Sequence, residues 1–473
     1  MNKQKEHFLD IFFNPRSVAV VGASQNPATA NFFLTANLIN LKYTGKIYPV
    51  NPSADKILGL KAYPNVQSIE DEIDLVAISL PALKVAGILR ECIAKKVKAI
   101  IITAGGFSET GANGKGLQEE MKQILKGSAI RVIGPNSLSP MNSEQNFIIG
   151  FGPMTKLTKG RLSFIFQSGL YQPRLDYLIS SMHLNINKLI DLGNKMDINE
   201  VDALEYFRTD ESTAAIAMHL ESIAGDGKRF FQLLKEITPR KPVIVLKSGR
   251  TADGIKAASS HTGAIMKSGD NIYDVALRQA GTIRVQGLDE FFDLAKIFEY
   301  CQPLERNHIA IASFSGGEGV IGTDFCQWHG LQLARPGKET REKMRKTFPP
   351  WEIEVNPFDT GVTNQFHIEM DVDTVFLEAM GNDTDVDCMV IQVGSPVSQA
   401  VWNPGVYNKK FIGLCQNAIN KGKAVAVWTV DPRRVPGLVD ELEEARIPVY
   451  PSVERAVRAL GALYRYNLIR KRS

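Results

Sequence analysis

The segment Ala257-Ala258-Ser259-Ser260-His261-Thr262-Gly263-Ala264 surrounds one imidazole with small and hydroxylic residues. Imidazole is a competent nucleophile near neutral pH, because its free base is abundant there. The small neighbours leave the ring room to be reached by a reactant or to move. His7, His183, His219, His308, His329 and His367 lack comparable surroundings. No histidines stand at metal-ligand spacing, so no metal site is read from the sequence. His261 is the candidate for covalent chemistry.

Three junctions of small residues form the second set of candidates: Gly22-Ala23-Ser24, Ser168-Gly169 and Ser315-Gly316-Gly317. Each follows a short apolar run and precedes a helical pattern. Small residues let backbone N–H groups approach a ligand, and the helix start adds a positive dipole end, so each junction suits a phosphate or carboxylate. None is a Walker A loop, which argues against self-contained P-loop hydrolysis. The first carries Ser24 where a second glycine of the dinucleotide fingerprint belongs. The second strand ends in Pro49-Val50-Asn51-Pro52 without an acidic residue, so a nicotinamide dehydrogenase is disfavoured.

The elements that must position these residues alternate between apolar, β-branched runs and amphipathic stretches, the pattern of parallel α/β sheets. Strands are expected at Val18–Ala23, Ile47–Val50, Leu75–Pro81, Ala99–Gly105 and Ile130–Asn136. A second set follows at Leu162–Gln167, Leu189–Gly193, Ala214–Leu220 and Pro242–Lys247. A third lies at His308–Ser313, Leu331–Ala334, Cys388–Gly394 and Ala424–Val430. Polar stretches near Lys156–Arg161 and Cys301–Asn307 separate the sets. The expected fold class is α/β, with three consecutive parallel-sheet domains.

Composition sets the outer limits. A chain of 473 residues exceeds one ordinary core. Its net charge of +4 makes no case for nucleic acid or a membrane surface. Five scattered cysteines form no CxxC pair, which disfavours a disulfide framework or structural zinc and fits a reducing cytoplasm. No signal-peptide pattern opens the chain, and a cytoplasmic location is the expectation.

The ordered series Asn14-Pro15-Arg16-Ser17-Val18, Val21-Gly22-Ala23-Ser24, Tyr48-Pro49-Val50-Asn51-Pro52, Ala104-Gly105-Gly106-Phe107-Ser108-Glu109, Gly134-Pro135-Asn136, Gln167-Ser168-Gly169, Gly193-Asn194-Lys195, Ser260-His261-Thr262-Gly263, Ser315-Gly316-Gly317, Asn356-Pro357-Phe358-Asp359 and Ile447-Pro448-Val449-Tyr450-Pro451-Ser452 resembles the alpha subunit of ADP-forming acetyl-CoA synthetases, in the succinyl-CoA synthetase superfamily. The resemblance covers nearly the whole length. It implies a CoA-binding Rossmann-like domain over 1–145, a flavodoxin-like domain with the phosphohistidine over 146–300, and a second flavodoxin-like ligase domain over 301–473. It implies a reversible reaction in which acyl-CoA and phosphate give an acyl phosphate and CoA, the acyl phosphate phosphorylates a histidine, and the phosphoryl group passes to ADP.

Carried over residue by residue, the resemblance makes His261 the phosphorylated histidine and Glu221 the carboxylate that pairs with it. A carboxylate on one ring nitrogen fixes the tautomer and leaves the other nitrogen nucleophilic. Ser168 and Gly169 match one helix start aimed at the phosphoryl group, and Gly316 and Gly317 match an opposing one. Gly22, Ala23, Ser24, Asn51 and Pro81 match CoA contacts. The family's ATP-grasp domain has no counterpart among the three strand sets. A separate ATP-grasp beta subunit is therefore expected, in an αβ or α2β2 assembly, with ATP or ADP and magnesium held there. The departure at Gln172-Pro173-Arg174, beside the reacting centre, makes Arg174 a candidate selector for an acid with an anionic tail. Two other classes stay open: a related acyl- or carbamoyltransferase without nucleotide, and a non-catalytic CoA-sensing protein.

Overall fold

Val18, Leu75, Ile101, Phe164, Met218, Val245, Ile311, Val390 and Val427 sit in strands whose positions are almost all buried. Strands covered on both faces read as unbroken apolar runs, and this is why the runs form parallel sheets between helices. In the computed structural model of the chain, residues 7–262, 270–367, 370–394 and 404–472 are described, with backbone alone at 259–262 and 404. The chain divides into two compact units, Met1–Gly287 and Leu288–Ser473.

The first unit holds two sheets. Strands β1 (Ser17–Val21), β2 (Lys46–Val50), β3 (Leu75–Ile78), β4 (Ala99–Ile102) and β5 (Arg131–Ile133) form a parallel sheet in the order β2-β1-β3-β4-β5. Strands β6 (Leu162–Phe166), β7 (Ile186–Asp191), β8 (Ala215–Leu220), β9 (Val243–Lys247) and β10 (Ile283–Val285) form a second, in the order β10-β9-β8-β6-β7. Met141–Asn142 and Phe147–Ile148 extend that sheet antiparallel beyond β7. One apolar cluster joins Val18, Leu75 and Ile101 of the first sheet to Ile165, Met218 and Val243 of the second. Polar ties reinforce it: Asn37 Nδ2 donates to Gly152 O at 2.9 Å, and Arg131 meets Asp197 at 2.9 Å.

The second unit holds one sheet. Strands β11 (His308–Ser313), β12 (Gln332–Leu333), β13 (Cys388–Gln392), β14 (Ala424–Trp428) and β15 (Val449–Tyr450) run parallel in the order β12-β11-β13-β14-β15, and Phe358–Asp359 pairs with β11. Its core gathers Ala310, Phe376, Ile391, Phe411 and Val427.

All three sheets share one winding scheme. Within each, the second strand lies on one side of the first, and the third, fourth and fifth follow on the other. The winding direction reverses between first and third strands, which opens a crevice at their C-terminal ends. The crevices fall at β1/β3, β6/β8 and β11/β13. The helices used below are α1 (Ala82–Lys95), α2 (Glu200–Thr209), α3 (Ala252–Thr262), α4 (Asp270–Gln279) and α5 (Gly316–Trp328). No helix among the described residues is long and apolar enough to cross a membrane.

Candidate active site

The first crevice gathers the residues expected to contact CoA. Gly22 follows β1 with φ +87°, and its N–H donates to Val50 O at 3.0 Å. A Cβ there would lie 2.3 Å from Ser79 O, so both conformation and packing demand glycine. Asn51 Nδ2 donates to Ala23 O at 3.0 Å, which ties the ends of β2 and β1 together. Ser24 Oγ accepts from Asn26 N and Thr29 Oγ1, each at 3.0 Å. Pro81 stands before α1 with φ −52°. The strand-end stretches 22–31, 51–54 and 79–84 contain no Asp or Glu. That lining fits a ligand carrying phosphates.

Glu109 links this crevice to the next sheet. Its Oε1 accepts from Gly106 N at 2.6 Å and Phe107 N at 3.1 Å, and its Oε2 accepts from Asn194 Nδ2. Burial acts to raise its pKa, but the hydrogen bonds prevail and hold it below the ordinary glutamate value.

The second crevice brings Ser168, Gly169 and Glu221 together. Ser168 is in extended conformation and its Oγ accepts from Leu170 N at 3.3 Å. The helix it opens is 3-10 over Gly169–Arg174 and becomes α only at Leu175–Ser180. Pro173 has no N–H to give an α-type bond, which accounts for part of that delay. Glu221 is the first residue after β8 and is 6% exposed. On the other side of β6, Asp191 ends β7 and accepts from Leu138 N at 3.0 Å and Gly193 N at 3.2 Å. Burial pushes Asp191 up to about 6 against those two bonds, and the charge of Glu221 adds to the rise.

His261 falls in the last turn of α3; its side chain, and residues 263–269 after it, lie outside the described residues. The base of the segment is fixed. Arg250, just before α3, meets Asp270, the first residue of α4, at 3.2 Å, and Arg284 of β10 donates to the same carboxylate. Burial acts to raise Asp270, but the hydrogen bonds from Arg284 and Arg250 win and lower its pKa. His219 Nε2 is hydrogen-bonded to Ser248 Oγ in the turn before α3, and burial lowers this histidine to about 4. Helix α3 packs near Ser108–Thr110, so the helix ending at His261 runs beside the loop shaped by Glu109.

In the third crevice Ser315, extended at φ −146°, precedes α5, which opens on Gly316 and Gly317. The glycines at 169, 316 and 317 differ from Gly22. None has a positive φ. A Cβ at Gly169 would meet nothing nearer than Leu138 Cδ1 at 3.9 Å, and one at Gly317 nothing nearer than Ser315 Oγ at 3.5 Å. At Gly316 the nearest atom is Asp359 Oδ2 at 3.2 Å, the end of a side chain. The fold therefore does not require glycine at these three positions, which open two helices.

Arg174 is exposed and donates from Nη1 to Leu170 O at 2.9 Å. Gln172 Oε1 accepts from Phe151 N at 3.1 Å and Gly152 N at 3.0 Å, so this residue braces the 150–152 turn. The sequence motifs included Gln167 and Lys195 without giving them a role, and Glu200 and Asp191 were missed. Only a polar residue closing an apolar strand, as at Gln167 and Asp191, signals them in advance. Among the described residues no group of His, Cys, Asp and Glu could hold a metal ion.

A CoA binding domain followed by a succinyl-CoA ligase like flavodoxin domain places the chain in the CoA ligase class. Residues 16–142 match the CoA binding domain family and residues 159–298 the succinyl-CoA ligase like flavodoxin domain family. The chain is 33% identical to the acetate–CoA ligase (ADP-forming) I alpha subunit of Pyrococcus furiosus, over 97% of this chain and 98% of the relative. It is 35% identical to the acetate–CoA ligase (ADP-forming) II of Archaeoglobus fulgidus over 97% of this chain, and spans only 66% of that longer protein. The solved dinucleotide forming acetyl-coenzyme A synthetase 1 of Ca. Korarchaeum cryptofilum, in complex with phosphate and ADP, superposes with a TM-score of 0.87 at 33% identity, covering 98% of this chain and 97% of that one. The chain belongs to the ADP-forming acetate–CoA ligase family and corresponds to its alpha subunit.

Proposed function

We propose that this chain is the CoA-binding, phosphohistidine-carrying subunit of an ADP-forming acyl-CoA synthetase. It interconverts acid, ATP and CoA with acyl-CoA, ADP and phosphate. In the thioester-consuming direction a phosphate oxygen attacks the acyl carbon and expels the CoA thiolate. A ring nitrogen of His261 then attacks phosphorus of the acyl phosphate, and the carboxylate leaves. An oxygen of ADP finally takes the phosphoryl group and frees the imidazole. Glu221 orients the ring and favours its charged state as the new bond forms. Gly169, Gly316 and Gly317 supply backbone N–H groups to phosphate oxygens. Gly22, Ala23, Ser24, Asn51 and Pro81 form the CoA contacts.

The observation that carries this reading is three glycines, at two helix starts, where neither φ nor packing requires them. Glycine left unexplained by the fold is explained by a ligand that must come close. The ADP-forming relatives supply the reaction class. The nucleotide, with magnesium, belongs to an ATP-grasp beta subunit, in an αβ or α2β2 complex in the cytoplasm. The acid is a small carboxylic acid, and Arg174 favours one with an anionic tail.

The test is phosphoryl labelling of the reconstituted complex. Labelled ATP should give acid-labile, base-stable phosphate on this chain, and His261→Ala should abolish both the label and acyl-CoA formation while CoA still binds. Retention of a tenth of the parent turnover by His261→Ala would refute the phosphohistidine. Acyl transfer that persists with no phosphoprotein would identify a nucleotide-independent transferase instead.

A further inference from the structure

Gln167 ends β6 and directly precedes Ser168. It is 5% exposed, and its carboxamide crosses the crevice to the end of β8. There Oε1 accepts from Glu221 N and Ser222 N, each at 3.0 Å. Its Nε2 donates to Ser222 Oγ at 3.1 Å. The orientation of the amide is thereby fixed, because a flip would set its NH2 against two N–H donors. Two consecutive backbone N–H groups converging on one point make a concavity that attracts an anion. Here a neutral oxygen fills it, so the two donors are satisfied without adding a carboxylate next to Glu221.

From the other side, Lys195 Nζ donates to Ser222 O at 2.7 Å and meets Glu200 Oε2 at 3.0 Å. Glu200 Oε1 in turn accepts from Ala224 N at 2.6 Å and Gly225 N at 2.8 Å. The backbone from 221 to 225 is thus held by three buried side chains, of which Gln167 is the one that also adjoins the Ser168 helix start.

We propose that Gln167 is a positioning residue for phosphoryl transfer: it sets the backbone of Glu221 in register with the Ser168–Gly169 helix start. The proposal rests on the roles given to His261 and Glu221 above. A displacement of about 1 Å in a positioning group can lower a rate by roughly a hundredfold, whereas binding of CoA in a separate crevice should be untouched. Gln167 acts through Glu221, so its loss should matter little once the carboxylate is gone.

The experiment measures phosphohistidine formation and steady-state kinetics of the complex with its nucleotide-binding partner, for Gln167→Ala, Gln167→Glu, Glu221→Gln and the double variant Gln167→Ala/Glu221→Gln. Gln167→Ala should lower kcat by roughly tenfold or more with the KM for CoA within about twofold of the parent. The double variant should be no slower than Glu221→Gln. Gln167→Glu supplies a readout that a purely structural role would not move. Its protonated carboxyl reproduces both the acceptor and the donor of the amide, so its activity relative to the parent should rise as pH falls. If Gln167→Ala does not fold, that pH profile decides alone. Multiplicative effects in the double variant, unchanged kcat in Gln167→Ala, or a flat pH ratio for Gln167→Glu would overturn the proposal. His261→Ala is the control for the reading beneath it. If that variant still accepts phosphate, the functional reading fails and takes this proposal with it. If it does not while Gln167→Ala is normal, the positioning proposal alone fails.

Discussion

Lys195→Met should unfold the first unit at a markedly lower temperature. The side chain of Lys195 is 3% exposed and that of Glu200 is 0% exposed, with 3.0 Å between ammonium and carboxylate. Burial lowers the pKa of Lys195, and Glu200 opposes the shift. Methionine replaces most of the stem volume, so little cavity is made and the loss is chiefly electrostatic. Removing one partner of a buried ion pair costs about 3–5 kcal/mol, because the other charge stays desolvated. Glu200 retains its bonds from Ala224 N and Gly225 N, which places the loss near the lower end. For a domain of this size class each kcal/mol moves Tm by roughly 2–4 °C, so the expected drop is about 6–12 °C. Calorimetry reads the transition, and hydrogen exchange at the amides of 222–225 localises it. Lys195→Met/Glu200→Gln should be less damaging than the sum of its parts by about 1 kcal/mol or more. A drop under about 2 °C with amide protection unchanged would show that the pair carries no net stability.

The same geometry supports three further expectations. Gly317→Val should fold with near-parental stability, since its Cβ meets nothing nearer than 3.5 Å, yet should lose phosphohistidine formation; normal labelling of this variant would remove α5 from the phosphate site. His219 has a folded pKa of about 4 against an ordinary 6.5, so its neutral form stabilises the fold above pH 6.5 and that stability is lost as pH falls from 6.5 toward 4. The loss is roughly 3 kcal/mol, and urea unfolding at pH 7 and pH 5 should show a smaller difference in His219→Gln than in the parent; equal differences would refute it. Arg174→Ala should narrow the preference for short acids with a second anionic group over acetate, propionate and butyrate in a substrate screen, and an unchanged ranking would exclude Arg174 from acyl selection.

The long strands were legible because four to six consecutive buried positions leave an unbroken apolar run. Leu162–Phe166, Ala215–Leu220 and His308–Ser313 sit within a residue of the expected spans. Ile283–Val285 and Val449–Tyr450 were missed, as were the antiparallel pairs at Met141–Asn142 and Phe147–Ile148. Two or three residues carry no periodicity. That Glu221 lies beside Ser168 depends on β8 pairing with β6 on the side away from β7, a matter of sheet order that chain order does not encode. The clamp around Glu221 was silent for a related reason. Gln167 and Lys195 stand in sequence motifs and Glu200 in none, but nothing in the sequence says that the fold buries all three against one turn. The helix start at Ser168 was readable, but its 3-10 opening was not.

The Arg250–Asp270 pair has a consequence for how this protein can vary. It ties off both ends of the segment 251–269 at one point, with Arg284 holding the knot from β10. With the base closed in this way, the chain between the anchors is held by Arg250, Asp270 and Arg284 rather than by the strands on either side. Insertions or deletions between the two anchors therefore leave both neighbouring strands undisturbed. The knot is the part that must stay.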